Sequence, residues 1–117
     1  MAYNAGVNHG VLVAWGVPEG VGSFYIFGGT SAGAPQWAGL TALSNQLAGH
    51  RLGFLNPAIY AIGRSSRYSA TFHDITKGNN REPGFPGYRA GPGWDPTTGW
   101  GTPKANNLVP ALAATAG

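Results

Sequence analysis

Two short apolar runs open the pattern. Gly10-Val11-Leu12-Val13-Ala14-Trp15 has no polar interruption after its glycine, and a brief run of β-branched and aromatic residues predicts a buried strand. Gly16-Val17-Pro18-Glu19-Gly20 reads as a turn. Ser23 to Phe27 follows as a second strand, with Phe24-Tyr25-Ile26-Phe27 as its buried part. The period then changes. Trp37, Leu40, Leu43 and Leu47 recur at near-helical spacing, while Gln36 and Asn45 fall off that stripe. This predicts a helix from Gln36 to Leu47. Ala38 and Ala42 keep its other faces small, so burial on most sides is expected. Pro35 suits the first helical turn, where a missing N–H leaves no bond unmade.

Farther on, Asn56 and Pro57 read as a cap and a first-turn proline for a short helix, Ala58 to Ile62. Arg64 to Ser69 reads as a polar link. From Thr71 to Gly101 the glycine and proline content predicts a long loop region with little regular structure. Thr102-Pro103 repeats the cap-and-proline signature and opens a final helix that includes Leu108. Pro110 is expected to kink or end that helix, which leaves Ala111 to Ala114 open.

Composition sharpens this picture at a few points. The 117 residues have room for one domain or part of a larger one, and 43% hydrophobic residues argue for a folded chain. Only 9% are charged, while glycine (20) and proline (9) are abundant, which fits a loop-rich architecture. The net charge of +3 comes from scattered basic residues with no stripe or cluster, so neither nucleic acid nor a membrane is expected as a partner. No cysteine is present, which excludes disulfides and thiolate metal sites. No apolar run approaches a membrane span, and Met1-Ala2-Tyr3-Asn4 lacks the features of a signal peptide.

Chemistry concentrates in two places. Gly29-Thr30-Ser31-Ala32-Gly33-Ala34-Pro35 sets a serine among small residues between strand and helix. There a hydroxyl lies near unpaired N–H groups at the positive end of a helix, and a substrate backbone can come close. Such a serine serves as a nucleophile if another group takes its proton. The plainer reading, an ordinary Ser/Thr cap, stands beside it. The second place is His73-Asp74-Ile75 with Gly91-Pro92-Gly93-Trp94-Asp95. Two carboxylates in glycine-rich loops suit a hard, oxygen-seeking cation, and calcium tolerates irregular geometry better than magnesium. Here the plainer reading is that each aspartate accepts local N–H bonds in an Asx-turn. His9, His50 and His73 lie far apart and form no helical ligand pair. A Ser–His pairing of Ser31 with His50 or His73 stays open, although His50 at a helix end also suits the dipole. Tyr88, Trp94 and Trp100 read either as a sugar- or peptide-binding surface or as packing beneath a long loop.

These segments together resemble the sedolisin family of serine-carboxyl peptidases. The resemblance is carried by Gly28-Gly29-Thr30-Ser31-Ala32-Gly33-Ala34-Pro35-Gln36-Trp37-Ala38-Gly39, by Gly53-Phe54-Leu55-Asn56-Pro57, by Phe72-His73-Asp74-Ile75-Thr76-Lys77-Gly78-Asn79 and by Ala90-Gly91-Pro92-Gly93-Trp94-Asp95-Pro96-Thr97-Thr98-Gly99-Trp100-Gly101. Residues 1–27 match more loosely, since Ala5-Gly6-Val7 stands where Ala-Asp-Pro is common. The resemblance implies an α/β fold, a partial subtilisin-like domain. It would have parallel-sheet strands, a buried helix after the nucleophile and a long calcium-binding loop region. It implies Ser31 as the nucleophile that forms an acyl-enzyme with a peptide or protein substrate. It also implies one calcium ion, held by Asp74 and Asp95 through carboxylates and by Ile75, Gly91 and Gly93 through carbonyls.

The family's general base is a glutamate assisted by an aspartate, and a further aspartate lines the oxyanion hole. All three come from upstream of the nucleophile's strand. Before Ser31 the only acid is Glu19, which matches none of them. The expectation is therefore a C-terminal portion, residues 1–117, of a secreted or lysosomal endopeptidase or tripeptidyl-peptidase working at acidic pH. Its partner would be the missing N-terminal part of the catalytic domain. The isolated chain is expected to be inactive. A rival from another class is a non-catalytic, calcium-stabilised binding module built on the same scaffold.

Overall fold

The computed structural model describes residues 1–16 and 22–115. The turn expected at Gly16 to Gly20, including Glu19, falls almost wholly outside the described residues. The chain divides into two compact units, Tyr3–Ala38 and Met1–Ala2 with Gly39–Gly117.

In the first unit a 3-10 turn, Val7–His9, leads into strand β1, Val11–Trp15, which pairs with β2, Ser23–Phe27. The pairing is antiparallel, with Val13 opposite Tyr25 and Leu12 opposite Ile26. The expectation of parallel-sheet strands is corrected here. Only residues 16–22 join the two strands, and a parallel crossover needs about a dozen residues or more. Both faces of the pair are apolar. Trp15 and Tyr25 rings lie 5.7 Å apart on one face, and Tyr25 and Phe27 rings 6.3 Å apart. Leu12, Phe24 and Ile26 occupy the other, exposed by 64%, 74% and 59%. The sequence reading of two buried strands is thus right in type and wrong in burial. A β-branched and aromatic run favours the pleated conformation wherever it lies, but burial requires a second layer.

Helix α1, Thr30–Ala48, starts six residues before the predicted Gln36. Pro35 therefore lies inside it, not in its first turn. Pro35 has no N–H to return to the carbonyl of Ser31, four residues earlier, so that bond is missing from the helical ladder. In the second unit the helix buries Leu40 and Ser44, whose hydroxyl donates to the Leu40 carbonyl at 2.9 Å. Leu43 and Leu47 are exposed by 53% and 59%. Burial on most sides is not what the helix has: one narrow face is covered. Gly49, at φ 75°, ends the helix in the left-handed region that glycine alone enters without strain. Asn45 then accepts from the Leu52 N–H at 2.9 Å and holds the outgoing chain.

Helix α2, Asn56–Gly63, and a short helix α3, Tyr68–Thr71, precede strand β3, Phe72–His73. Leu55 is the cap of α2 and no side chain bonds there, so Asn56 begins the helix instead of capping it. The expected polar link Arg64–Ser69 yields to α3 at its end. Strand β4, Thr102–Pro103, pairs antiparallel with β3, and helix α4 spans Ala105–Thr115. Strand pairing thus claims the two residues read as a helix opening. The Lys104 carbonyl starts the helix instead, accepting from the Asn107 and Leu108 N–H groups at 3.0 and 2.8 Å. Pro110 does not end α4. Leu108 on one side of it and Ala111 and Leu112 on the other are all buried. Burying a leucine contributes about 1.5–3 kcal/mol, enough together to offset roughly 3 kcal/mol for an internal proline.

The core of this unit gathers Ile59, Ile62, Phe72, Trp100, Leu108 and Leu112. Trp100 is its hinge-pin. Its ring meets Tyr60 edge-on at 5.9 Å and Tyr68 at 5.5 Å, and Tyr68 lies 5.9 Å from Phe72. Gly63 lies flat beneath the same indole, where a Cβ would come within 2.5 Å of two ring carbons. The long loop read from residues 71–101 is present. Beyond the last residue of α3, Thr71, it has only the two-residue β3 and isolated bridges at Asn79–Arg89, Glu82–Phe85 and Asp95–Gly99.

Candidate functional site

Ser31 occupies the first turn of α1 and is exposed. The turn is shaped from behind by two glycines. A Cβ on Gly28 would fall 2.6 Å from the Val7 Cα, and one on Gly33 would fall 3.0 Å from the Tyr3 Cβ. Both positions are bare because the segment Tyr3–Val7 presses against them. Gly29, at φ 126°, turns the chain out of β2, and its carbonyl accepts the Ala32 N–H at 2.9 Å. The Ser31 hydroxyl therefore sits where a helix presents free N–H groups, on a rigid backing. Within its own unit, no described titratable side chain hydrogen-bonds to Ser31.

The two aspartates are in the other unit. Asp74 follows β3 directly, and its Oδ2 accepts from the Gly93 N–H at 2.8 Å, a tie across 19 residues. The Asp74 Oδ1 is buried and has no hydrogen-bond partner. Gly93, at φ 76°, is in the conformation that aims this N–H inward. Asp95 is 6% exposed and heavily bonded. Its Oδ1 accepts from the Thr97 and Thr98 N–H groups, both at 2.8 Å. Its Oδ2 accepts from the Thr98 hydroxyl at 2.8 Å and the Gly91 N–H at 3.2 Å. Burial pushes the Asp95 carboxyl up, but these four bonds outweigh it and hold the group below its ordinary value.

Of the residues expected to bind metal, Asp74 and Gly93 are thus joined directly, as are Gly91 and Asp95. Ile75 follows Asp74, half-buried. Among the described residues the carbonyls of Ile75, Gly91 and Gly93 accept no hydrogen bond. No three His, Asp or Glu side chains cluster among the described residues. A cation here would therefore take most of its ligands from carbonyls. A hard cation fits this donor set: one orphaned, buried carboxylate oxygen beside three open carbonyls.

Sequence reading missed Tyr68 and Thr98. Tyr68 donates to the Trp100 carbonyl at 3.3 Å. Burial, and then the Asp74 carboxylate beside it, push its hydroxyl up to about 12. No motif marks Tyr68, because it reaches the site from α3 through the fold. Thr98 did carry a signal: a Thr three residues after an Asp is a frequent donor in an Asx-turn. His50 lies past the end of α1, its Nδ1 3.1 Å from the Arg51 carbonyl, and His73 is exposed.

Comparison with known proteins gives the following. No family model matches the chain. It is 45% identical over 96 residues, 81% of its length, to kumamolisin of Bacillus sp. (strain MN-32). It is 41% identical over 93 residues, 72% of its length, to tripeptidyl-peptidase 1 of Homo sapiens. It is 40% identical over 88 residues to tripeptidyl-peptidase sed1 of Aspergillus fumigatus. These matches cover 16%, 16% and 13% of the relatives, so the chain spans about one-sixth or less of their length. Among the described residues no helix is long and apolar enough to cross a membrane.

Proposed function

Since this chain belongs to the sedolisin family, we propose that it carries the nucleophile and the calcium loop of a serine-carboxyl peptidase of subtilisin-like fold. The carrying observation is Ser31, exposed in the first turn of α1 on a backing of close-packed glycines. Its Oγ attacks the carbonyl of a peptide or protein substrate, the C–N bond breaks and the amine leaves with a proton. Water then hydrolyses the acyl-enzyme ester to the free acid and the free serine. First-turn N–H groups favour the negative charge that develops on the carbonyl oxygen. The proton must pass to a carboxylate, and Asp74 and Asp95 are engaged elsewhere. We place the base and the oxyanion aspartate in segments outside these 117 residues. The apolar cover for both faces of the β1–β2 pair would come from the same segments. With carboxyl groups in place of histidine, the working range is acidic, which fits a secreted or lysosomal enzyme. Calcium, when bound by Asp74, Asp95 and the carbonyls of Ile75, Gly91 and Gly93, supplies structural rigidity to the loop.

Two proteins test this. The chain alone should neither hydrolyse peptides nor react with a fluorophosphonate probe, because a serine without its base is a weak nucleophile. A chimera in which residues 28–104 replace the matched stretch of kumamolisin should do both, and Ser31→Ala should abolish both. Turnover by the chain alone that is lost on Ser31→Ala would overturn the assignment of the base to other segments. A folded chimera with Ser31 intact and no probe reaction would favour the second reading, a calcium-stabilised binding module. That no described titratable side chain of its unit bonds to Ser31 is the observation behind that reading.

A further inference from the structure

We propose that the two aspartates of the loop do different work: Asp95 shapes the loop without metal, while Asp74 offers the oxygen that a cation takes. The inference rests on the calcium reading above and goes beyond it.

A carboxylate has roughly four acceptor positions. All four on Asp95 are filled by the chain itself, from Gly91 on one side and Thr97 and Thr98 on the other. Its backbone closes the same loop, donating to the Gly99 carbonyl at 3.2 Å and accepting the Gly99 N–H at 2.8 Å. Residues 91–99 are therefore a finished structure around a buried charge. To join a cation's shell, Asp95 must surrender a bond, and the 3.2 Å one from Gly91 is the longest.

Asp74 is the reverse case. One oxygen is tied to Gly93, and the other is buried without a hydrogen bond of its own, because the neighbouring Tyr68 hydroxyl donates to the Trp100 carbonyl instead. A buried charged oxygen left without a partner is costly, and this cost is what a cation would relieve. Thr98 becomes a positioning residue, since both its N–H and its hydroxyl serve Asp95 and it is itself only 8% exposed.

The test uses the 117-residue chain, thermal unfolding in EDTA and in calcium, and terbium luminescence sensitised by the tryptophans. In EDTA, Asp95→Asn should lower Tm by roughly 5–10 °C, and Thr98→Val should lower it by less. Thr98→Val should keep its calcium shift. Asp74→Asn should melt in EDTA at or above the unsubstituted chain, yet lose both the calcium shift and the terbium signal. If Asp95→Asn does not fold, that agrees with the proposal, and Thr98→Val supplies the graded measurement. Unchanged EDTA melting for Asp95→Asn and Thr98→Val would overturn the role of Asp95. A full calcium shift in Asp74→Asn would overturn the role of Asp74. An unsubstituted chain without calcium shift or terbium signal would overturn the calcium reading and Asp74's role with it. The EDTA comparison would still decide the role of Asp95.

Discussion

The β1–β2 pair and the Asp74–Gly101 loop invert the usual expectation of which segment is inside. The strands are apolar on both faces and expose Phe24 by 74%; the loop is rich in glycine and proline and buries Asp95, Thr98 and Trp100. Hydrophobicity gives a segment a reason to be covered, but only a partner covers it. The loop makes its own partners. Asp95, the charge it takes inside, arrives with donors from two to four residues away. Among the described residues of their unit the strands have each other and the short Val7–His9 turn, and no second layer.

The sharpest way to break this contrast is at Trp100. Trp100→Ala removes the ring on which Tyr60 and Tyr68 pack and should cost about 3–5 kcal/mol, measured by urea denaturation. A loss near zero would mean that the loop is held by its hydrogen bonds alone. A smaller effect should come from pH. The Tyr68 hydroxyl has a folded-state value of about 12 against an ordinary 10.0. Its contribution to stability is thus complete below pH 10 and is lost as pH rises toward 12. Tyr68→Phe should flatten the alkaline fall of Tm in that window, and an unchanged slope would assign the fall to other groups. The least effect belongs to the strands: Phe24→Thr should alter unfolding free energy by less than about 0.5 kcal/mol. A loss of 2 kcal/mol or more, on the scale of a buried aromatic, would show that Phe24 is covered in solution.

What could be read from sequence divides along the same line. The strands, α1 and the irregular run after Thr71 follow from local pattern, and Asp74 and Asp95 stand out by residue type and spacing. The antiparallel pairing was missed although the seven-residue connection between Trp15 and Ser23 requires it. The start of α1 at Thr30 was hidden by Pro35, whose preference for a first turn pointed six residues too far on. Thr102-Pro103 carried a helix-opening signature that pairing with β3 overrode. Tyr68 could not be read at all, because only the packing of α3 against Trp100 brings it to Asp74.

Gly63 shows where such local rules mislead an engineer. It lies inside α2, where exchanging glycine for alanine is expected to gain about 1 kcal/mol from helix propensity. Here the added methyl would enter the face of the Trp100 indole, 2.5 Å from two of its carbons. The ring cannot yield without disturbing Tyr60 and Tyr68, and through Tyr68 the surroundings of Asp74. A stabilisation campaign guided by composition would choose this position early and loosen the Asp74–Gly101 loop through Trp100.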